Sequence, residues 1–230
     1  MGRLQGNSPF FVPGPPAKQG FAYQPIVRFV LNEVRGDTVL DLGGGEGAYS
    51  LEMKKAGYKT IVADINPESL IIAKNSGLKT RLLAPNEPLG KNIADTVVII
   101  EVLEHVQNPS EFLNSAIDAA KKRVLFTLPC TNDFKSLFDL GLTYHHIAVS
   151  DHLWHFSYEE LKQLLDGFGE KYSINMGDYL CPWAAICLLQ KCVSSPFAFK
   201  LMMFLYGIID RLGLITKRFP TRFYGIIEKQ

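Results

Sequence analysis

The feature of this sequence with the clearest chemical meaning is a carboxylate followed by three regularly spaced glycines. Asp41, Gly43, Gly45 and Gly47 give the spacing D-x-G-x-G-x-G. Glycines at a turn between a strand and a helix permit positive φ angles and let a ligand approach the main chain closely. A carboxylate just ahead of such a turn favours a cationic or hydroxyl-rich ligand over a pyrophosphate. The motif therefore predicts a binding site for a ligand of that kind.

A second carboxylate, Asp64, follows the next predicted strand, where the ribose of a nucleotide would lie in an open α/β sheet. A ribose diol needs an acceptor for its two O–H donors, and the pairing of this residue with the glycine turn is more specific than a glycine run alone. An NAD-binding turn has the spacing G-x-G-x-x-G, which the glycines at 43, 44, 45 and 47 do not give. The spacing therefore disfavours an NAD-dependent oxidoreductase.

A third group of chemically capable residues lies in the middle of the chain. Glu101, Glu104 and His105 form an E-x-x-E-H pattern, which places two carboxylates and an imidazole on one short turn. His105 by itself is a candidate general base, because imidazole titrates in the useful range. The alternative is that His105 begins the next helix and packs there.

Alternating strands and helices must position these residues. The predicted strands are Thr38 to Leu42, Lys59 to Ala63, Thr80 to Leu83, Asp95 to Ile100, Arg123 to Leu128, Lys171 to Asn175 and Arg222 to Ile227. The predicted helices are Pro25 to Val34, Ser50 to Ala56, the one that begins after Asn66, Ser110 to Lys121, and Tyr158 to Leu165. This alternation predicts a doubly wound sheet whose ligands lie beyond the carboxyl ends of the strands. Asp41, Asp64 and Glu101 all fall at strand ends, so we expect them to converge on one crevice.

The glycine segment resembles motif I of the class I S-adenosylmethionine-dependent methyltransferases. Two further stretches, Val98 to Pro109 and His152 to Leu161, resemble the methyltransferases of ubiquinone and menaquinone biosynthesis. The resemblance covers about residues 25–180. It implies a Rossmann-like α/β fold, with a doubly wound, mostly parallel seven-stranded sheet and an antiparallel last strand. It also implies methyl transfer from S-adenosylmethionine to a small-molecule or lipid-like acceptor.

The same resemblance assigns the cofactor-binding residues. Asp41, Gly43 and Gly45 would line the methionine end of the donor, and Asp64 would hold its ribose. Gly47, Ile65 and Glu101 complete the predicted set. One departure concerns the adenine: Leu83 stands where the family often has an Asp that meets the adenine amine. Either Asn86 or a main-chain carbonyl accepts from the amine instead, or the adenine pocket is altered.

Two alternative functions stay open. The order Glu101, Glu104, His105 and then Asp151-His152 resembles the small-RNA 2′-O-methyltransferases, in which those positions hold a divalent metal. The two carboxylates and the imidazoles of His105 and His152 could then bind Mg²⁺, Mn²⁺ or Zn²⁺. A metal-assisted O-methyltransferase is therefore one alternative. The other is a binding module that holds S-adenosylmethionine without catalysis, because a fold alone does not determine chemistry.

Composition narrows the class of protein. A chain of 230 residues is long enough for one domain with a sizeable core. The net charge of +1 argues against a dedicated nucleic-acid binder, which would usually be strongly basic. The four cysteines form no C-x-x-C pair, which favours reduced thiols and a cytoplasmic protein. The longest apolar run, Leu201 to Ile209, is far shorter than the roughly 20 residues that a membrane-spanning helix needs.

Two segments lie outside the predicted sheet. Residues 1–24 are rich in Pro and Gly and predict an irregular arm, ahead of a single domain over 25–230. Within that domain, an apolar helical insertion is predicted at about 193–218. Its stretch 197–214 has apolar residues at helical spacing, which suits packing on the sheet, a homodimer contact, or peripheral contact with a membrane. In the membrane reading, the basic residues that face lipid headgroups are Lys200, Arg211, Lys217, Arg218 and Arg222.

Overall fold

The computed structural model describes residues 21–84, 88–132, 152–178 and 220–229. Its helices are α1 (Gln24–Glu33), α2 (Ala48–Lys55), α3 (Pro67–Asn75), α4 (Pro109–Ala119) and α5 (Tyr158–Asp166). Its strands are β1 (Thr38–Leu42), β2 (Lys59–Asp64), β3 (Lys79–Leu82), β4 (Ala94–Ile100), β5 (Ala120–Pro129), β6 (Lys171–Gly177) and β7 (Arg222–Glu228). Residues 1–20 of the predicted arm 1–24 and the predicted insertion at about 193–218 lie outside the described residues, and α1 begins at the last residue of that arm.

The seven strands form one sheet in the order β3-β2-β1-β4-β5-β7-β6. Strands β1 to β5 pair in parallel, and β7 pairs antiparallel with both β5 and β6. The predicted mostly parallel sheet with an antiparallel last strand is therefore confirmed. The strand order reverses between β1 and β4, and ligands of open α/β sheets bind at such a switch point.

Helices cover both faces of the sheet. On one face, Leu113 of α4 and Leu161 of α5 are fully buried with the inward residues of β4 and β5, such as Phe126. On the other face, Ile26 of α1 and Met53 of α2 are buried against Val98, Ile100 and Leu125. Successive residues of β4 and β5 thus alternate between two cores, as a doubly wound sheet requires.

Side-chain caps set the starts of three helices. Asn66 accepts from the backbone N–H groups of Glu68 and Ser69, and Asn108 accepts from that of Glu111. Ser157 and Glu160 form the predicted capping box at the start of α5. The prediction of a helix as far as Lys121 was wrong, because Ala120 takes an extended conformation and already pairs with Ala94 in the sheet. None of the helices in the described ranges combines the length and apolarity needed to cross a membrane.

Candidate functional site

The glycine turn connects β1 to α2 at the switch point of the sheet. Gly43, Gly45 and Gly47 have φ angles of 76°, 52° and 80°, in the left-handed region that favours glycine. The Gly43 N–H donates to the carbonyl of Ala63 over 2.7 Å, and the Gly47 N–H donates to the carbonyl of Gly44 over 2.9 Å. A Cβ atom on Gly45 would meet no atom within 4 Å. The turn is thus closed by its own main chain and is open to a ligand at Gly45.

Asp41 lies beneath the turn and is only 1 % exposed. Its Oδ2 accepts from Ser50 Oγ over 2.8 Å. A Cβ on Gly44 would lie 2.6 Å from Asp41 Cγ, so the turn main chain passes directly over the carboxyl. Burial raises the pKa of Asp41 to about 6, and the hydrogen bond from Ser50 lowers it in part. Asp41 therefore supports the turn from within the core, and its contact with the methionine end of a ligand stays a prediction.

Asp64 joins the glycine turn to the end of β2. Its Oδ2 accepts from the Gly45 N–H and its Oδ1 from the Asn66 N–H, both over 2.8 Å. A carboxylate has about four acceptor positions, so two are left for a ligand. Beside it, the side chains of Ile65 and Leu82 are 73 % and 56 % exposed at the ends of β2 and β3. This edge therefore combines a fixed carboxylate with open apolar surface.

Leu83 lies next to this edge and is held there by the main chain. Its N–H donates to the carbonyl of Asp64 over 2.9 Å, and its side chain packs against the larger core. Leu83 thus continues the pairing of β2 and β3 by one residue. Asn86, the predicted substitute for the missing adenine acceptor, lies outside the described residues.

Glu101 follows β4 on the other side of the switch point and forms an ion pair. Its φ of 54° is unusual for a residue with a side chain. Arg222 donates from Nε to Glu101 Oε1 over 3.0 Å and from Nη2 to Oε2 over 3.2 Å, and Thr127 Oγ1 donates to Oε1 over 2.9 Å. Burial disfavours the charge of Arg222, but the carboxylates of Glu101 and Asp178 outweigh it and raise the pKa of the guanidinium.

The ion pair corrects one sequence-based expectation. In the membrane reading of the insertion, Arg222 faces lipid headgroups together with four other basic residues. It is instead only 8 % exposed, because β7 lies inside the sheet and its first residue points to the ion pair. The other four basic residues of that prediction lie outside the described ranges.

Three of the four candidate metal ligands lie together. Each of Glu104, His105 and His152 offers a ligand atom, and these atoms lie within 4.8 Å of one another. Glu104 is buried, and the imidazole rings of His105 and His152 are 4.6 Å apart between centroids. The N–H groups of Leu153 and Trp154 both donate to the carbonyl of Glu104 and fix the two chain segments together. Glu101, the fourth candidate, pairs with Arg222 as described above.

A cleft of about 590 Å³ adjoins the same two chain segments. It is lined by Gln107, Asn108, Pro109, Ser110, Trp154, His155, Phe156, Glu160, Gln163 and Leu164. Trp154 donates from Nε1 to the carbonyl of Val106 over 2.9 Å, and its ring stacks on Phe156 at 6.3 Å between centroids. The cleft has the size of a small-molecule site and combines aromatic surface with amide and carboxylate groups.

Comparison with known proteins identifies the family. Residues 18–172 match the family model described as a methyltransferase domain. The chain belongs to this methyltransferase-domain family. The match confirms the resemblance predicted for about residues 25–180.

Individual similar proteins include a curated relative and two solved structures. The ubiquinone biosynthesis O-methyltransferase of Rickettsia canadensis is 26 % identical over 117 residues, which are 48 % of this chain and 50 % of that protein. The chain thus matches about half the length of this curated relative. A SAM-dependent methyltransferase from Archaeoglobus fulgidus has 18 % identity and a TM-score of 0.60, over 90 % of this chain and 92 % of its own. Magnesium protoporphyrin IX methyltransferase from Synechocystis PCC 6803, with bound SAH, has 15 % identity and a TM-score of 0.55, over 89 % of this chain and 80 % of its own. At these identities the two structures support the fold alone.

The residues that sequence reasoning missed are those that surround Glu101. Arg222 is 121 positions from Glu101 in the chain, and Asp178 and Thr127 come from two other strands or their ends. A short sequence pattern cannot report such a contact, because it depends on the insertion of β7 between β5 and β6. The one available signal was an Arg at the start of a predicted strand.

Proposed function

We propose that the protein is an S-adenosylmethionine-dependent methyltransferase that acts on a small molecule. The observation that carries the proposal is the bond from the Gly45 N–H to Asp64, which fixes a strand-end carboxylate beside a glycine turn at the switch point. Membership of a methyltransferase-domain family supports it. Bound SAH in the similar Synechocystis enzyme is consistent with the same donor site.

In this proposal the donor lies across the carboxyl ends of β1, β2 and β4. The open side of Gly45 lets the donor reach the main chain, while Gly43 and Gly47 hold the turn in shape. The two unused acceptor positions of Asp64 bind the ribose hydroxyls. The exposed side chain of Ile65 packs on the adenine. Asp41 and Glu101 border the methionine end, from beneath the turn and from the end of β4.

The reaction is an in-line displacement. The acceptor atom attacks the methyl carbon, the bond from that carbon to sulfur breaks, and the sulfur keeps the electron pair as S-adenosylhomocysteine. The main task of the protein is to align the two reactants within near-attack distance. The acceptor also loses a proton, and we propose His105 as the group that accepts it.

In this proposal the acceptor binds in the cleft, whose lining begins two residues after His105 in the chain. Its volume of about 590 Å³ suits a small molecule, and Trp154 and Phe156 suit an aromatic or lipophilic one. Contact with a membrane or with a second copy through 197–214 and a cytoplasmic location stay predictions.

Titration calorimetry with S-adenosylhomocysteine tests the donor site. The protein should bind it, and Asp64→Ala should weaken binding by about tenfold or more, since hydrogen bonds to a charged acceptor are lost. Gln163→Ala, in the cleft and away from the turn, is the matched control and should bind the donor normally. Folded protein that binds no ligand at millimolar concentration would refute the proposal.

A panel of hydroxylated, carboxylated and amine acceptors then separates an enzyme from a binding module. Turnover should appear as release of S-adenosylhomocysteine with at least one acceptor, and His105→Ala should lower kcat. Binding of the donor without turnover, together with a biological role insensitive to His105→Ala, would favour the non-catalytic module.

A second candidate is metal-assisted O-methyl transfer, which the cluster of Glu104, His105 and His152 favours. One carboxylate and two imidazoles suit Zn²⁺ or Mn²⁺ and leave coordination positions for a substrate oxygen. A bound ion would supply Lewis acidity that makes the acceptor hydroxyl easier to deprotonate. In this alternative His105 is a ligand rather than a base, and Glu104 orders the cluster from its buried position.

Metal content after dialysis against Zn²⁺ or Mn²⁺ distinguishes the two candidates. His152→Ala should lose the ion, whereas His155→Ala should keep it. His155 is a suitable control because its ring lies 6.2 Å from that of His152 but it is not part of the cluster. If the wild-type protein holds no stoichiometric metal and stays active in EDTA, the metal-assisted mechanism is refuted and the mechanism with His105 as the base is supported.

A further inference from the structure

A buried guanidinium joins three parts of the chain at the carboxyl edge of the sheet. Arg222, the first residue of β7, donates to Glu101 after β4 and to Asp178 after β6. The Tyr224 hydroxyl also donates to Asp178, over 2.7 Å, and the ring of Tyr23 lies 5.2 Å below the guanidinium. Two carboxylates thus face one guanidinium, and the cluster carries a net negative charge.

A matched cluster occupies the opposite end of the same pair of strands. Arg123 of β5, as buried as Arg222, donates to Glu228 of β7 and to Glu33 of α1. It too sets one guanidinium between two carboxylates. This second cluster lies at the amino edge of the parallel strands, far from the switch point. It therefore provides a comparison with the same chemistry away from the proposed donor site.

The cluster around Arg222 differs from the one around Arg123 because one of its carboxylates, that of Glu101, lies at the switch point. Glu101 lies directly after β4 at the switch point, and the neighbouring Val102 side chain lies over the turn, 2.7 Å from where a Cβ of Gly43 would be. The φ of 54° at Glu101 is strained for a residue with a side chain. Such strain persists only where the surroundings fix it, and here the bidentate bond from Arg222 and the bond from Thr127 do so.

The Glu101 carboxylate keeps one hydrogen-bond acceptor position for a ligand. A carboxylate has about four acceptor positions. Arg222 occupies two on Glu101 and Thr127 a third. The remaining one belongs to Oε2, on an anion fixed beside the glycine turn. A cationic donor group is the natural partner of such an acceptor.

We propose that Arg222 is a positioning residue that holds Glu101 for the ammonium group of the methyl donor's amino-acid end. The inference rests on the proposed function. Arg222 itself does not touch the donor, and its effect on binding passes through Glu101. Because the guanidinium binds both oxygens, the carboxylate cannot rotate away when the site is empty.

A double-mutant cycle on S-adenosylhomocysteine affinity tests this inference. Glu101→Gln and Arg222→Met should each weaken binding by about tenfold, since each removes or releases a charge-assisted bond. In the Glu101→Gln background, Arg222→Met should change the affinity by less than about twofold, because the residue it acts through is already altered. Any cost of leaving Asp178 without its guanidinium occurs in both backgrounds and cancels.

Arg123→Met is the control for a merely structural role. It should lower the melting temperature and leave the affinity of the folded protein unchanged. If Arg222→Met does not fold, Arg222→Lys serves in its place, because an ammonium keeps the charge but cannot donate the two parallel bonds.

Equal losses from the Arg222 substitution in both backgrounds would overturn the inference, as would a comparable affinity loss from Arg123→Met. Normal affinity in both Glu101→Gln and Arg222→Met would also overturn it while the proposed function stands. Failure of the wild-type protein to bind the ligand would refute the proposed function itself.

Discussion

Substitution of Gly45 by Ala separates the stability of the glycine turn from its proposed role in binding. Gly45 has a φ of 52°, and a Cβ placed on it would meet no atom within 4 Å. The folded protein therefore has room for the methyl group. The cost is confined to the left-handed backbone conformation, about 1–2 kcal/mol for an L residue. For a chain of this size that lowers the melting temperature by about 2–8 °C.

Donor binding should weaken as well, for a reason separate from the cost in stability. The open space beside Gly45 is where the donor would approach the main chain, and the added methyl group fills it. The Gly45 N–H remains bonded to Asp64, so the carboxylate keeps its position. We expect S-adenosylhomocysteine to bind at least about tenfold more weakly, equivalent to about 1.4 kcal/mol. Calorimetry on protein that is folded by circular dichroism measures this directly.

Gly169→Ala is the matched control. Gly169 has a φ of 70° and also has no atom within 4 Å of an added Cβ, but it lies between α5 and β6, away from the turn. It should show a similar fall in melting temperature with unchanged affinity. Unchanged affinity in Gly45→Ala, or an equal loss of affinity in Gly169→Ala, would refute the placement of the donor against the turn.

Three further predictions concern carboxylates. Asp64→Asn can accept from only one of two backbone N–H groups, so urea denaturation should show a loss of about 1–2 kcal/mol; unchanged stability would contradict the observed bonds. The pKa of Asp41 is about 6 in the folded protein and ordinarily 3.8, so its contribution to stability is full below pH 4 and falls by about 3 kcal/mol as the pH rises through 6. Asp41→Asn should flatten the plot of unfolding free energy against pH between about pH 4 and 6, and an unaltered slope there would contradict the raised pKa of Asp41. Hydrogen bonds from Thr38 lower the pKa of Asp95 to about 2, so its contribution is present above pH 4 and lost as the pH falls through 2. Asp95→Asn should therefore destabilise the protein at pH 7 more than at pH 2, and an equal loss at both would exclude this linkage.

Local patterns were sufficient to predict the order of the helices and strands in the described residues, although not every boundary. The alternation of apolar strands and capped helices predicted the doubly wound sheet, because each signal lies within a few residues. Asn66 with Pro67, and Ser157 with Glu160, fixed helix starts that the structure reproduces. The glycine turn and Asp64 were found for the same reason, since the end of each parallel strand meets the same edge of the sheet.

The side-chain partners that come from distant parts of the chain could not be predicted from the sequence. The pattern Glu101-x-x-Glu104-His105 suggested one ligand group, but the structure separates its members: Glu104 and His105 meet His152, while Glu101 pairs with Arg222. The sequence determined which residue types stand at the strand ends of this methyltransferase-domain chain. Only the tertiary structure decided their partners, because β7 inserts between β5 and β6 and brings a guanidinium to a carboxylate 121 positions away.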